Sequence, residues 1–324
     1  MRAIRRNRVT VFLLPLLPLV PLLLAAAGNR LSDPHPPALT PQNFTLGIIT
    51  TRVSLPGNRY DQAMSRLDPA KGNLPQQMER ITQGMSAAEQ QQAQAQAQQN
   101  PGLTMMALLL PRKATIYVRG LEARASTDAL TYHLDNYFNG AQNTGLCVIK
   151  SQAEPKQVAF RYTGTKKKQE WQSIAVSAAD YAIQPTAETA LVAGYPCRKT
   201  TYIRKLHTRP ASSPSPGPMA LQAVALDVWT SRYMPVSLNF AHPIYVNEPQ
   251  GIMKIVVYFD QAHKQQLLYE FTGVQTQPVT PQDLHVTPTG AVLDYDTDGP
   301  AIGLQLLSLM MGSPQGPGSP GTGR

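Results

Sequence analysis

The chain changes its hydrophobic pattern at about residue 103, and this change constrains the fold more than any other feature. From there, short runs of β-branched and aromatic residues recur at near-regular spacing, separated by turn signals such as Asn139-Gly140 and Thr163-Gly164. Such a pattern favours an antiparallel sandwich or barrel over β-α-β units. Together with an earlier run at 43–54, the predicted strands are 104–110, 114–119, 122–126, 129–134, 147–151, 157–162, 171–176, 195–205, 223–230, 252–259, 266–271 and 272–276.

One helix is predicted ahead of these strands, over residues 75–100. Its first half carries apolar side chains at three- and four-residue spacing, namely Leu74, Met78, Ile81 and Met85. Its second half is rich in glutamine and alanine, which permits a helix but offers no face to a core. We therefore expect the helix to dock at its start and to fray at its end.

The N-terminus has the three parts of a secretory signal. Four arginines in the first eight residues precede an apolar run at 9–24 and then Ala25-Ala26-Ala27. We expect residues 1–27 to be a signal peptide and the mature protein to reach the periplasm or the cell exterior. The alternative is an N-terminal membrane anchor, since the apolar run is almost long enough to span a bilayer. Its three prolines disfavour that alternative, because they remove helical hydrogen bonds.

The rest of the chain is expected to form a single β-rich domain over residues 43–299, behind an extended leader at 28–42. A Pro-rich exposed loop is predicted at 207–219, between two strands. Residues 300–311 are a short apolar segment that could form a closing helix. The Gly/Pro/Ser tail at 312–324 is expected to be disordered.

Composition and motifs exclude several functions. The net charge of +9 includes the four arginines of the signal, so the remainder needs no nucleic-acid partner. The run at 166–168, three lysines, would suit peripheral contact with anionic lipid, and a solvated hairpin tip is the alternative. The chain has no nucleophile elbow and no Walker phosphate-binding loop. We therefore predict neither enzymatic activity nor a cofactor.

The two cysteines predict a disulfide. Cys147 and Cys197 lie in strand-like runs, and an even cysteine count in an exported protein favours pairing. Two separate buried thiols are the alternative.

The aspartates at 294, 296 and 298 suggest a calcium-binding site. Asp294, Asp296 and Asp298 precede Gly299 in the pattern of the first half of a calcium-binding loop. The twelfth position, where a glutamate should bind the ion, is Gln305. A solvated acidic turn is the alternative.

Two segments carry a family resemblance. Residues 186–202 contain Gly194, Tyr195 and Cys197, and residues 225–231 contain Trp229 within Val-Trp-Thr. This pairing resembles the exported bacterial family called domain of unknown function 4412, which is distantly similar to LolA/LppX-like lipoprotein carriers. The resemblance implies a mainly β (α+β) fold, in which an antiparallel sheet curls into a half-open barrel with one N-terminal helix packed against it. It carries over no catalytic residues.

Three functional hypotheses follow. The first is a carrier that binds a lipid, an acyl chain or another apolar ligand. Methionines suit such a pocket because they adapt to irregular shapes, and the candidates are Met105, Met106, Met234 and Met253. An ordinary closed core is the alternative for these residues. The second hypothesis is an envelope-interaction protein without a small ligand, and the third is a hydrolase, which a perturbed carboxylate or histidine in a cleft would favour. The oligomeric state stays open.

Overall fold

A computed structural model of the protein describes residues 42–68, 71–164, 176, 179–205, 223–242 and 246–311. The predicted signal peptide, the leader up to residue 41, the lysine run, the Pro-rich loop and the C-terminal tail lie outside the described residues. So does the predicted strand 171–176, except for Val176.

The described part of the chain is mainly β and is built on one sheet of 12 strands. The strands are β1 (Leu46–Ser54), β2 (Lys113–Arg119), β3 (Glu122–Asp128), β4 (Tyr132–Asn139), β5 (Thr144–Ser151), β6 (Gln157–Thr163), β7 (Tyr181–Val192), β8 (Tyr195–Arg204), β9 (Ala225–Ser231), β10 (Gly251–Tyr258), β11 (Gln266–Gln275) and β12 (Val292–Asp294). Their spatial order is β12-β6-β5-β4-β3-β2-β1-β11-β10-β9-β8-β7. The order has two ends, so the sheet is not closed.

Neighbouring strands are antiparallel except for β12, which pairs with β6 in parallel. The predicted antiparallel arrangement is therefore confirmed for nearly the whole sheet. Strand β1 lies in the middle of the sheet, where it pairs with β2 on one side and with β11 on the other. It therefore joins the strands β2 to β6 to the strands β7 to β11. This pairing brings residues more than 200 positions apart into register, for example Arg52 and Glu270.

Four strands differ from the prediction. The runs 266–271 and 272–276 form one continuous strand, β11, and the run 129–134 only overlaps the start of β4. Strands β7 and β12 were not predicted at all. Pro185 interrupts the pattern of β7, and the register of β7 with β8 shifts between Pro185 and Thr189. The proline is tolerated because β7 is an edge strand, where one row of backbone groups has no ladder partner to lose.

The helical region also differs from the prediction. Within the described residues, four α-helices precede β2: α1 (Arg59–Met64), α2 (Leu74–Gln83), α3 (Ala87–Gln99) and α4 (Pro101–Leu109). The prediction of a single helix over 75–100 was wrong, because α3 begins anew after Ser86. Ser86 and Glu89 exchange hydrogen bonds there in a capping box. The end of α3 also docks, because Gln96 Oε1 accepts a hydrogen bond of 2.8 Å from the Arg59 backbone N–H.

The predicted strand 104–110 is the helix α4 instead. Asn100 caps it by accepting a hydrogen bond of 3.1 Å from the Leu103 N–H, and Pro101 occupies the first helical turn, where its missing N–H costs nothing. Leu103 and Ala107, four residues apart, are buried on one face. The apolar run that suggested a strand is thus the docking face of a short helix.

Two large hydrophobic clusters pack on the sheet, beside a small third one of Val148, Ala159 and Val286. The first cluster is contributed mainly by β1, β2, β3 and β8–β11, with Leu103 and Ala107 of α4. The second cluster combines side chains of β4, β5 and β6 with Ile302 and Leu309 of the C-terminal helix α6 (Tyr295–Met311), which follows the short helix α5 (Pro281–Leu284). β3 contributes Ala123 and Ala125 to the first cluster, whereas β4 contributes to the second. The boundary between the clusters, called the seam below, therefore runs between β3 and β4.

None of the helices within the described residues combines the length and the apolar character that a membrane span requires. The apolar segment predicted at 300–311 is the larger part of α6, which packs mainly against β6.

Candidate functional site

A cavity of about 460 Å³ opens at the seam. Its volume lies within the roughly 300–1,000 Å³ typical of small-molecule sites. Three groups of residues line it: strand ends and turns of β2 to β6, a 3-10 helix at Val236–Ala241, and the segment that begins at Val246. The described lining residues are Leu121, Phe138, Gly140, Asn143, Tyr162, Gly164, Pro235, Val236, Ser237, Asn239, Phe240, Val246, Asn247 and Glu248.

Aromatic rings form one wall of the cavity. Phe138 stacks on Phe240 with ring centroids 5.4 Å apart and on Tyr162 at 6.3 Å. Phe240 packs against both clusters, so the 3-10 helix bridges the seam. At the mouth, Leu121 and Val236 are 58% and 51% exposed, although both are apolar. The cavity is therefore an apolar space with an apolar rim.

Gly145 allows the ring of Tyr162 to take its position. It lies opposite Tyr162 in the register of β5 and β6. A Cβ at Gly145 would come within 2.1 Å of the Tyr162 ring, so any larger residue would displace it. The Tyr162 hydroxyl donates a buried hydrogen bond of 2.8 Å to Asn136 Oδ1, which fixes the ring. Burial raises the pKa of this hydroxyl and keeps it neutral.

One charged side chain, Glu248, belongs to the described lining. It is only 8% exposed, and its Oε1 accepts a hydrogen bond of 2.6 Å from the hydroxyl of Tyr202 on β8. Burial raises the pKa of Glu248, while hydrogen bonds from Tyr202 and Thr200 partly oppose that rise. Burial and the neighbouring Glu248 both raise the pKa of Tyr202. The carboxyl is thus held in place by neutral hydroxyl groups.

The described lining contains one carboxyl group and no histidine, cysteine or lysine. The nearby His242 lies outside the lining and is fully buried. Burial lowers its pKa to about 3, and its ring packs edge-on against Tyr269 at 4.6 Å. His242 is therefore a neutral residue of the closed core.

The four methionines proposed for a ligand pocket do not line this cavity. Met234 and Met253 are buried within the first cluster, at 3% and 0% exposure. Met106 packs against that cluster from α4, and Met105 on the same helix is half-buried and is not among its members. Met234 and Met253 therefore fill the larger core, which was the alternative considered for these residues.

The predicted disulfide is absent, because Cys147 and Cys197 are both buried thiols. Cys147 is on β5 and belongs to the second cluster, whereas Cys197 is on β8 and belongs to the first. Seven strands separate β5 from β8 in the sheet order. Burial raises the pKa of the Cys197 thiol to about 11, which keeps it protonated and unreactive.

The three aspartates proposed for calcium are engaged within the chain at the start of α6, where Asp296 accepts a hydrogen bond of 3.2 Å from the Thr163 hydroxyl. The Asp294 carboxylate accepts a hydrogen bond of 2.8 Å from the Asp296 N–H, and the Asp298 carboxylate accepts one of 3.1 Å from the Asp294 N–H. Carboxylates are favourable at a helix N-terminus, where backbone N–H groups are unpaired. In the described parts of the chain, no three acidic, histidine or cysteine side chains converge as metal ligands.

The residues of the family motif are structural. Ala193 and Gly194 form the tight turn between β7 and β8 with positive φ angles of 48° and 85°, a conformation that favours glycine. Tyr195 starts β8 and packs against the first cluster, which also buries Trp229. Lys199 Nζ lies 5.6 Å from the centre of the Trp229 ring, in cation–π range. None of these residues lines the cavity.

Comparison with known proteins adds little to this geometry. No protein-family model matches the sequence, and no curated protein matches it significantly. One similar solved structure is that of PNGF-II in the C2 space group, with 12% identity and a TM-score of 0.34 over 61% of this chain and 30% of that chain. The chain therefore spans less than a third of the PNGF-II chain. A similarity at this level supports no conclusion about function.

Proposed function

We propose that this chain is an exported, non-enzymatic protein that binds an apolar small molecule, such as a lipid or an acyl chain, in the cavity at the seam. The observation that carries the proposal is the cavity itself, an apolar space between two filled clusters. An apolar cavity that stays unfilled beside a packed core lacks favourable packing contacts. Exposed apolar side chains at its rim are stabilised when a ligand covers them. In this proposal, the open sheet acts as a half-open barrel around the ligand, as the resemblance to lipoprotein carriers implies.

A neutral apolar dye, N-phenyl-1-naphthylamine, tests the proposal. The protein is purified after expression of the whole chain and titrated while dye fluorescence is followed. We expect saturable binding of one dye per chain. Val236→Glu places a charge at the rim and should weaken binding roughly tenfold or more, because the charge must be desolvated when the dye enters.

Ile183→Glu is the matched control. Ile183 is an exposed apolar residue of β7, with 46% exposure against 51% for Val236, and it does not line the cavity. This variant should bind the dye as the wild type does. Absence of saturable binding, or an equal loss in both variants, would contradict the proposal and favour an envelope-interaction protein without a small ligand.

A further inference from the structure

Glu248 is unusual among the residues that line the cavity. The other described lining residues are apolar, glycine or uncharged polar residues, such as Asn239 and Ser237. A carboxylate in such a wall loses most of its hydration, and a buried charge is normally balanced by an ion pair. Among the described residues, no lysine, arginine or histidine forms an ion pair with Glu248.

The other buried carboxylates show what is missing at Glu248. Asp61 is 5% exposed and pairs with Arg112 at 2.5 Å, and Asp135 is 7% exposed and pairs with Arg124 at 2.7 Å. Glu248 is buried to a similar degree, but its carboxyl accepts its hydrogen bond from the neutral hydroxyl of Tyr202. Of the three buried carboxyl groups in the described chain, only that of Glu248 has no cationic partner.

We infer that the cavity selects an apolar molecule that carries one protonated amine, with Glu248 as the counter-ion for that amine. The inference rests on the proposed function and names the class of ligand. The apolar lining takes the hydrocarbon part, and the amine cation reaches the carboxyl in the wall. The hydrogen bond from Tyr202 holds the carboxyl in place, so that little ordering is needed when the ligand binds. Low local polarity strengthens the ion pair once water is displaced.

Calorimetric titration with octylamine and with 1-octanol tests this inference, because the two molecules share one chain length and differ in the charged group. At neutral pH the wild type should bind octylamine roughly tenfold or more tightly than 1-octanol. The advantage of octylamine should shrink as the pH is lowered and Glu248 becomes protonated, since the amine stays charged throughout. Both comparisons use the wild-type protein and so do not depend on a variant that folds.

Glu248→Gln then locates the effect. The amide keeps the shape of the side chain and can still accept the hydrogen bond from Tyr202, but it carries no charge. The variant should lose the preference for octylamine, whereas Glu79→Gln, at an exposed position on α2, should keep it. Equal affinity of the wild type for the two ligands would overturn the inference and leave the proposed function standing. A preference that persists in Glu248→Gln would overturn the role of Glu248, and failure of both ligands to bind would overturn the proposed function itself.

Discussion

The first cluster and the second cluster differ in the kind of side chain that fills them. The first is largely aliphatic and contains most of the fully buried large side chains, including Ile116, Leu226 and Ile255. The second is rich in rings, and two of its tyrosines, Tyr132 and Tyr162, need hydrogen-bond partners for their hydroxyls. The cavity lies where the two kinds of packing meet.

The largest effect is expected from a truncation within the first cluster. Leu226 is fully buried between β8 and β10. Leu226→Ala should lower the free energy of unfolding by about 2–5 kcal/mol, because a closed core cannot collapse around the lost volume. Urea denaturation measures the change. Val236→Ala at the exposed rim is the control and should stay within about 0.5 kcal/mol of the wild type. Similar effects of the two substitutions would contradict the contrast between a filled core and an open cavity.

A somewhat smaller effect is expected from the second cluster. Ile302 is fully buried where α6 packs against the sheet. Ile302→Ala should lower the free energy of unfolding by about 2–3 kcal/mol, since α6 lies at one end of the sheet and can shift to fill part of the gap. Leu304, on the same helix, is 71% exposed, and Leu304→Ala should change little. A negligible loss in Ile302→Ala, measured by the same denaturation, would show that α6 does not stabilise this end of the sheet.

The sequence predicted the strands well because their pattern is local. The runs 114–119, 122–126 and 157–162 lie within β2, β3 and β6. It missed α4 because nine consecutive residues with few polar positions suit a buried strand and a short docked helix equally. What separates the two is the cap at Asn100, and its effect depends on the apolar face that receives Leu103.

The candidate site was not predictable in the same way. Glu248 stands in the polar segment Asn247-Glu248-Pro249-Gln250, which looks like an exposed turn. In the fold it is buried, and its carboxyl accepts a hydrogen bond from Tyr202, 46 residues earlier in the chain. The methionines were chosen as pocket residues for the chemistry of their side chains alone. In the fold, Met234 and Met253 lie in the first cluster instead. Burial of a polar residue is set by partners that no local pattern reveals.

The smallest effect on stability is expected from polar side chains that bond one another across the seam. His133 on β4 bonds Asp128 at 2.7 Å through Nδ1 and Asp135 at 3.2 Å through Nε2, and Asp135 accepts two hydrogen bonds from Arg124 on β3. The hydrogen bond to Asp135 raises the pKa of His133 to about 8; burial opposes this rise, and Asp128 adds to it. Although burial opposes it, hydrogen bonds from His133 and Arg124 lower the pKa of Asp135 to about 2.

These shifts predict how stability depends on pH. The pKa of His133 is higher in the folded chain than its ordinary value of 6.5, so its contribution is complete below that value and is lost as the pH rises through about 8. Because the side chain is partly exposed, the loss should be about 1 kcal/mol. His133→Gln should flatten the change in the free energy of unfolding across this window, whereas His285→Gln, at an exposed position after α5, should leave it intact. An unchanged slope in His133→Gln would mean that the seam is held by apolar packing and backbone pairing alone. A flattened slope would show that charged groups on β3 and β4 contribute to holding the two clusters together.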